Sequence, residues 1–250
     1  MQDLLLALAF LAVMLGSALA GMAIRDRLPG EHVTDSSRDA VLRAVGLVVT
    51  LSSLVMAFLV SSAKAYYSAV EDELTEISSD MAALDRILVH YGDVAEPSRE
   101  LLRQVVGTAV RTAWPAHETS LPRYPGRSGL EGIERLTDQI GALPAGDGRH
   151  TAMRSQALSY LLAVERSGFK LRQIQQARAQ TPLLAIIVSW LVIIFGGFGL
   201  LTPRNRTAFT AMLLAAVAAA GALFLIVELY SPVTGVISIP PSTLESALSF

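Results

Sequence analysis

No cysteine occurs among the 250 residues of this chain. Disulfides, thiolate nucleophiles and cysteine-based zinc sites are thereby excluded, and nothing in cysteine usage marks a redox compartment. Charge is also scarce. Asp, Glu, Lys and Arg together make up 17% of the residues, and the net charge is −2. A balance this close to zero supplies no field that would recruit nucleic acid. His32, His90, His117 and His150 stand apart from one another, and none has a partner at a ligand spacing such as HExxH. Neither a metal site nor a cofactor is expected. Glu134 and Asp147 make no recognisable acid pair, and no catalytic motif stands out. The chain does not read as an enzyme.

What the chain has in abundance is apolar length. Hydrophobic residues make up 52% of it, more than an ordinary soluble domain carries. Four uncharged stretches stand out: Leu4–Ile24, Ala44–Ala63, Ala179–Thr202 and Thr207–Val227. A helix needs about 20 apolar residues to cross the hydrocarbon core of a bilayer. The expected fold is an all-α integral membrane protein with four transmembrane helices in two hairpins. An α-helical soluble module is inserted between spans two and three. Residues 1–63 form the first hairpin, 64–180 the module, 181–230 the second hairpin and 231–250 a tail. The first span also resembles a signal peptide at Ala18-Leu19-Ala20. No basic residue precedes it, however, and its apolar run continues to Ile24, so a retained helix is expected.

The second span continues beyond Lys64 as a heptad seam of Val70, Leu74, Ile77, Met81, Leu84, Leu88 and Tyr91, with acidic residues between. The seam either packs inside its own chain or forms an oligomeric coiled coil. Gly92 and Pro97 end the pattern. A helix follows from Ser98 to Trp114, where Pro115 stops it. A loop over 115–128 contains Arg123-Tyr124-Pro125-Gly126-Arg127, which is either solvated or an anion contact. A short helix carries Leu130, Ile133, Leu136 and Ile140. A long one from about Thr151 to Gln180 has Ala157, Leu161, Val164, Gly168 and Leu171 on one stripe. The tail is apolar enough, at Val236, Ile237, Ile239, Leu244 and Leu248, to lie back on the protein or the membrane interface.

Within span two, Gly46, Thr50, Ser53, Ala57, Ser61 and Lys64 recur at helical spacing. Small and hydroxylated residues on one face can line a watery path or let helices approach closely. Thr50, Ser53, Ala57, Phe58 and Ser61 are the pore-lining candidates. Phe58 is on a more apolar side, suited to lipid or to a hydrophobic constriction. Glu228 closes a run with no other charge since Arg206. An acid at the end of a span is either functional or one half of an interfacial ion pair, and Lys64 is its candidate partner. The last two spans turn at Pro203, Arg204 and Asn205. Small residues in spans one, three and four, among them Gly16, Gly21, Gly196, Gly197, Gly199 and Ala215, predict tight helix packing.

With four spans, both termini and the module share one side. Arginines at Arg25, Arg27, Arg38, Arg43, Arg204 and Arg206 in the short loops lean the module outward by the positive-inside rule, but Lys64, Arg166, Lys170, Arg172 and Arg178 nearly balance them.

Three segments carry a family resemblance. They are Gly46–Lys64 running on to Leu84-Asp85-Arg86-Ile87-Leu88-Val89-His90-Tyr91-Gly92, then Phe198-Gly199-Leu200-Leu201-Thr202-Pro203-Arg204-Asn205, then Leu225-Ile226-Val227-Glu228-Leu229-Tyr230-Ser231-Pro232 with Gly235 and Ile237. Together they resemble the bacterial bestrophin-like family of multi-pass membrane proteins. The family usually has phenylalanine after that last proline; Val233 stands here. The resemblance implies a cell (inner) membrane protein related to bestrophins. Those are pentameric anion channels with span two lining the pore and the helical region in the cytosol. It also implies a homo-oligomer in a lipid bilayer with an inorganic anion as permeant species. The bestrophin pore signature of proline and clustered aromatics in span two is absent, since Gly46–Ala63 holds only Phe58 and no proline. An oligomeric ion channel or transport protein is the first functional expectation. A membrane-anchored interaction or sensory module, working through the heptad helix and loop 115–128, is the alternative.

Overall fold

A computed structural model describes residues 2–27, 35–115, 117, 119, 121–123, 129–176, 181–202 and 205–248. The described residues contain helices and no strand. The helices are α1 (Gln2–Arg27), α2 (Asp35–Tyr91), α3 (Glu96–Ala113), α4 (Gly129–Gly141), α5 (Gly148–Gln176), α6 (Thr181–Leu201), α7 (Arg206–Leu229) and α8 (Ser242–Glu245). Four of them, α1, α2, α6 and α7, are long and apolar enough to cross a membrane. The chain divides into two compact units, Met1–Tyr66 with Arg178–Ser231, and Tyr67–Ala177 with Pro232–Phe250.

In the first unit α1 lies against α6 at backbone distance. A Cβ on Gly21 would fall on the Gly196 carbonyl, and one on Gly199 would fall on the Ala18 carbonyl. Ser17 Oγ donates to the Val192 carbonyl at 2.6 Å, and Arg25 Nη1 donates to the Thr202 carbonyl at 2.8 Å. From the Ser17–Val192 bond to the Arg25–Thr202 bond the chain advances in the same direction along both helices, so α1 and α6 run parallel. Small residues let the backbones meet, and the hydroxyl supplies a bond across the interface. Arg25 places its cation on the C-terminal carbonyls of α6, where the helix dipole favours it. The core is completed by Met14 and Met22 of α1, Ile187 and Phe195 of α6, and Ala216 and Leu223 of α7. Large apolar side chains such as Leu5, Leu47, Leu54, Ile193 and Leu214 point outward. That outward apolar surface suits hydrocarbon as solvent.

In the second unit all seven seam residues of α2, Val70 to Tyr91, are buried within the one chain. The seam is used in this unit's own core rather than presented to another molecule. Leu102, Val106 and Val110 of α3, Leu136 and Ile140 of α4, and Ala157, Leu161 and Val164 of α5 are buried in the same unit. Gly168 and Leu171, expected on the same stripe of α5, are less deeply placed, and Ser167 is buried instead. Gly92 ends α2 at φ +95°, a backbone region that only glycine enters freely, and its N–H donates to the Val89 carbonyl. The tail folds into this unit. Ile239, Leu244 and Ala247 are buried, Trp114 Nε1 donates to the Ile239 carbonyl at 2.9 Å, and Ser78 Oγ donates to the Thr243 carbonyl. Val236 and Ile237 remain exposed.

An ion network joins α2 to α3. Arg99 Nε bonds the buried Asp85 carboxylate at 3.0 Å and its Nη1 bonds Glu96 at 2.9 Å, while Arg103 also reaches Glu96. The bond to Asp85 holds the Arg99 guanidinium above its usual value. Hydrogen bonds from Arg99 and Arg103 hold the Glu96 carboxyl below the usual carboxylate value. A depressed carboxyl pKa contributes stability at neutral pH that is lost as pH falls through the folded-state value.

This packing sets two expectations. Gly199→Val should push α1 and α6 apart and destabilise the spans by about 1–3 kcal/mol, whereas Gly221→Ala, whose Cβ meets nothing within 4 Å, should leave thermal unfolding in detergent unchanged. Arg99→Gln should strand a buried carboxylate and cost about 3 kcal/mol or more. Adding Asp85→Asn in the same chain should recover part of that loss in chemical unfolding, because the two groups are coupled.

Candidate path along the second span

The membrane segment of α2 presents three distinct sides. Val45, Ser52, Leu59 and Ala63 are buried, and they follow one another along a single narrow edge. Gly46, Thr50, Ser53, Ala57, Ser61 and Lys64 are exposed on a second side. Leu47, Leu51, Leu54 and Phe58 are exposed on a third. At about 100° per residue, Phe58 points roughly a quarter-turn away from Ala57 and the hydroxyl stripe. The five sequence-predicted lining residues are thus all exposed, but Phe58 shares its side with leucines.

The hydroxyls of Thr50 and Ser53 are bonded within their own helix. Thr50 Oγ1 donates to the Gly46 carbonyl at 3.0 Å, and Ser53 Oγ donates to the Val49 carbonyl at 2.9 Å. Each donor is satisfied without a partner helix, while the oxygen lone pairs still face outward. A row of acceptor oxygens and small side chains gives a face narrow in bulk and weakly polar. That is suitable for water and hydrated ions and poor for close packing with lipid tails.

Beside this stripe is a lateral hollow of about 650 Å³ among α2, α6 and α7. Val49, Ser52 and Met56 line it from α2, Phe195 and Phe198 from α6, and Ala215 from α7. Its walls are mostly apolar, but Ser52, Ser53 and Thr202 also line it, so the hollow and the stripe share Ser53. Ser52 was not apparent in the sequence as a feature of interest. It is buried on the edge facing the hollow, and its Oγ has no hydrogen-bond partner among the described residues. It belongs to the same Ser-Ser pair as the exposed Ser53, and only its helical phase distinguishes the two.

Glu228 lies in the last turn of α7 with none of its surface exposed, whereas Lys64 is exposed. The two candidate partners therefore sit in different settings. Close by in sequence, Tyr230 Oη donates to Ser62 Oγ at 3.3 Å, and its ring meets Tyr66 with centroids 5.2 Å apart. This group ties the end of α7 to α2. Its signal in the sequence is tyrosine at the ends of two spans, the usual position for an aromatic with one wet end. Asn205 is the N-cap of α7, its side chain accepting from the Ala208 N–H at 2.7 Å. Pro203 and Arg204 lie outside the described residues, as does the loop segment 124–128. No cluster of His, Asp or Glu able to hold a metal occurs among the described residues.

Known proteins share this architecture. A crystal structure of a bacterial bestrophin homologue from Klebsiella pneumoniae, carrying a mutation, superposes with a TM-score of 0.68 at 12% identity, covering 99% of this chain and 97% of that one. At that identity the likeness speaks for the fold. No curated protein matches the sequence. The family model described as the Bestrophin-like domain matches residues 11–244. With four membrane-length helices, the shared fold and a family match over nearly its whole length, this multi-pass membrane protein belongs to the bestrophin-like family.

Proposed function

We propose that the protein is an oligomeric ion channel or transport protein of the inner membrane in which span two of each subunit faces a shared path. Inorganic anions are the proposed permeant class. The observation that carries this reading is the stripe of Thr50, Ser53, Ala57 and Ser61, exposed on a membrane helix whose other exposed side is leucine and phenylalanine. A single chain leaves that stripe facing hydrocarbon, whereas a ring of chains would turn it towards water. Phe58, on the leucine side, would then sit between neighbouring subunits or at a constriction. The match to the bestrophin-like family and the fold shared with a bestrophin homologue support the same arrangement.

The helices between α2 and α6 form the soluble module in this reading. The tail supports that topology. Trp114 and Ile239 lie together in one unit, so the stretch between them, which includes α6 and α7, enters and leaves the membrane on one side. Both termini and the module then share a side. The alternative of a membrane-anchored interaction module loses its chief support, because the heptad seam is buried in its own chain.

The test joins particle mass to conductance. Native mass spectrometry of the protein in nanodiscs should give a closed ring of four or more subunits, and planar bilayers should show currents carried by anions. Thr50→Leu and Ser53→Leu, with ring mass retained, should reduce unitary current several-fold by adding bulk to the path. A monomer, or a ring that is electrically silent under both polarities, would sink the reading.

A further inference from the structure

The second unit holds a small basic hollow that the channel reading does not use. It is about 270 Å³ in volume and is lined by Arg86, Ile87 and His90 from the end of α2 and by Arg149 and Met153 from the start of α5. Three cationic or potentially cationic side chains line it and no acid does. This composition is unusual for the unit. Its other basic side chains are mostly satisfied: Arg99 and Arg103 bond carboxylates of α2 and α3, Arg135 bonds Glu131, Lys170 bonds Glu73, and Arg154 bonds the Leu143 carbonyl. Arg86 and Arg149 make no ion pair and no side-chain hydrogen bond among the described residues, yet they converge on one space from two helices.

The imidazole is already oriented. His90 Nδ1 lies 2.7 Å from the Arg86 carbonyl one turn earlier, and that carbonyl can only accept. The proton therefore sits on Nδ1, and Nε2 is left for a ligand, as an acceptor in the neutral ring and as a donor in the charged one. The nearest acid in sequence to the α5 side is Asp147, which precedes that helix. Its carboxylate accepts both the His150 backbone N–H and His150 Nδ1, each at 2.7 Å. Those bonds and the nearby Arg149 charge hold its carboxyl below the usual value. Asp147 is thus occupied as a helix cap and is not among the residues that line the hollow. The floor of the hollow, Ile87 and Met153, is apolar and leaves space for a small organic body beside a charged head.

We propose that this hollow binds a phosphoryl group, with Arg86 and Arg149 as paired guanidinium forks and His90 Nε2 as a third donor. Guanidinium forks match the geometry of tetrahedral oxyanions, which a spherical halide does not exploit. The phosphoryl group belongs to a small soluble phosphate ester, since Arg86 is more than 20 residues, about 33 Å of continuous helix, beyond the end of span two. The inference is independent of conduction, since it concerns binding within the second unit.

The experiment is calorimetric titration of the full-length protein in nanodiscs made only of zwitterionic lipid, at fixed ionic strength, with inorganic phosphate and then glycerol phosphate as probes. Saturable binding of one phosphate per chain is expected. Arg86→Gln and Arg149→Gln should each weaken it about tenfold, as the loss of one charge-assisted bond does. Arg166→Gln, elsewhere on α5, should leave it unchanged. All three arginines are exposed, so the variants are expected to fold, and an unaltered melting temperature verifies that. Glycerol phosphate binding more tightly than inorganic phosphate would assign a soluble ester. The proposal is overturned if phosphate gives no saturable heat at millimolar concentration, if chloride competes on equal terms, or if both arginine variants bind as the parent does.

Discussion

The close approach of α1 to α6 is the constraint on which the membrane unit depends. Lipid tails are as apolar as leucine, so spans gain nothing from hiding hydrophobic surface from them. What holds spans together is contact at backbone distance and an occasional hydrogen bond, and both occur between Ser17, Ala18 and Gly21 on one helix and Val192, Gly196 and Gly199 on the other. Once those two are fixed in parallel, α7 packs on α1, and Gly197 brings Val45 of α2 against α6. The position of α2, and hence the direction in which its hydroxyl stripe faces, follows from glycine positions on a different helix.

The two units solve the same packing problem by opposite means. The second unit is built as water-soluble units are. It buries Val70, Leu84, Leu102, Ile140 and Leu161 and gains from each about what burial of a large aliphatic side chain yields, 1.5–3 kcal/mol. It uses ion pairs such as Asp85–Arg99 to fix the register of helices. The first unit exposes many large apolar side chains and places its small ones where α1 and α6 meet. One continuous helix, α2, follows the membrane pattern in its first half and the soluble pattern by Tyr91, and its composition changes from leucine and serine to acidic residues along the way.

Much of this was legible in the residues themselves. The spans were visible because bilayer thickness fixes a length of apolar sequence, and the seam from Val70 to Tyr91 because its spacing repeats every seven residues. The packing role of Gly21 and Gly199 was likewise readable from composition. The candidate path was only half legible. Periodicity put Thr50, Ser53, Ala57 and Ser61 on one face, but periodicity has no absolute phase, so it did not say that Ser52 would be buried and Ser53 exposed. Nor did it show that Glu228 would be wholly buried while Lys64 is exposed. The basic hollow was illegible for a simpler reason. Arg86 and Arg149 are separated by most of the second unit in sequence, and only the fold of α3 and α4 between them brings the ends of α2 and α5 together.

The burial of the tail bears on the order in which the molecule can be made. Ile239 and Leu244 are structural parts of a unit whose other members, from Val70 to Val164, leave the ribosome much earlier. Both α6 and α7 are synthesised in between. The indole of Trp114 and the hydroxyl of Ser78 must therefore wait, solvated or held by a chaperone, until two further helices have entered the bilayer. The second unit is finished only after α6 and α7 have been made, and a chain that stalls before its tail emerges would display an open apolar cleft to the machinery that removes incomplete proteins.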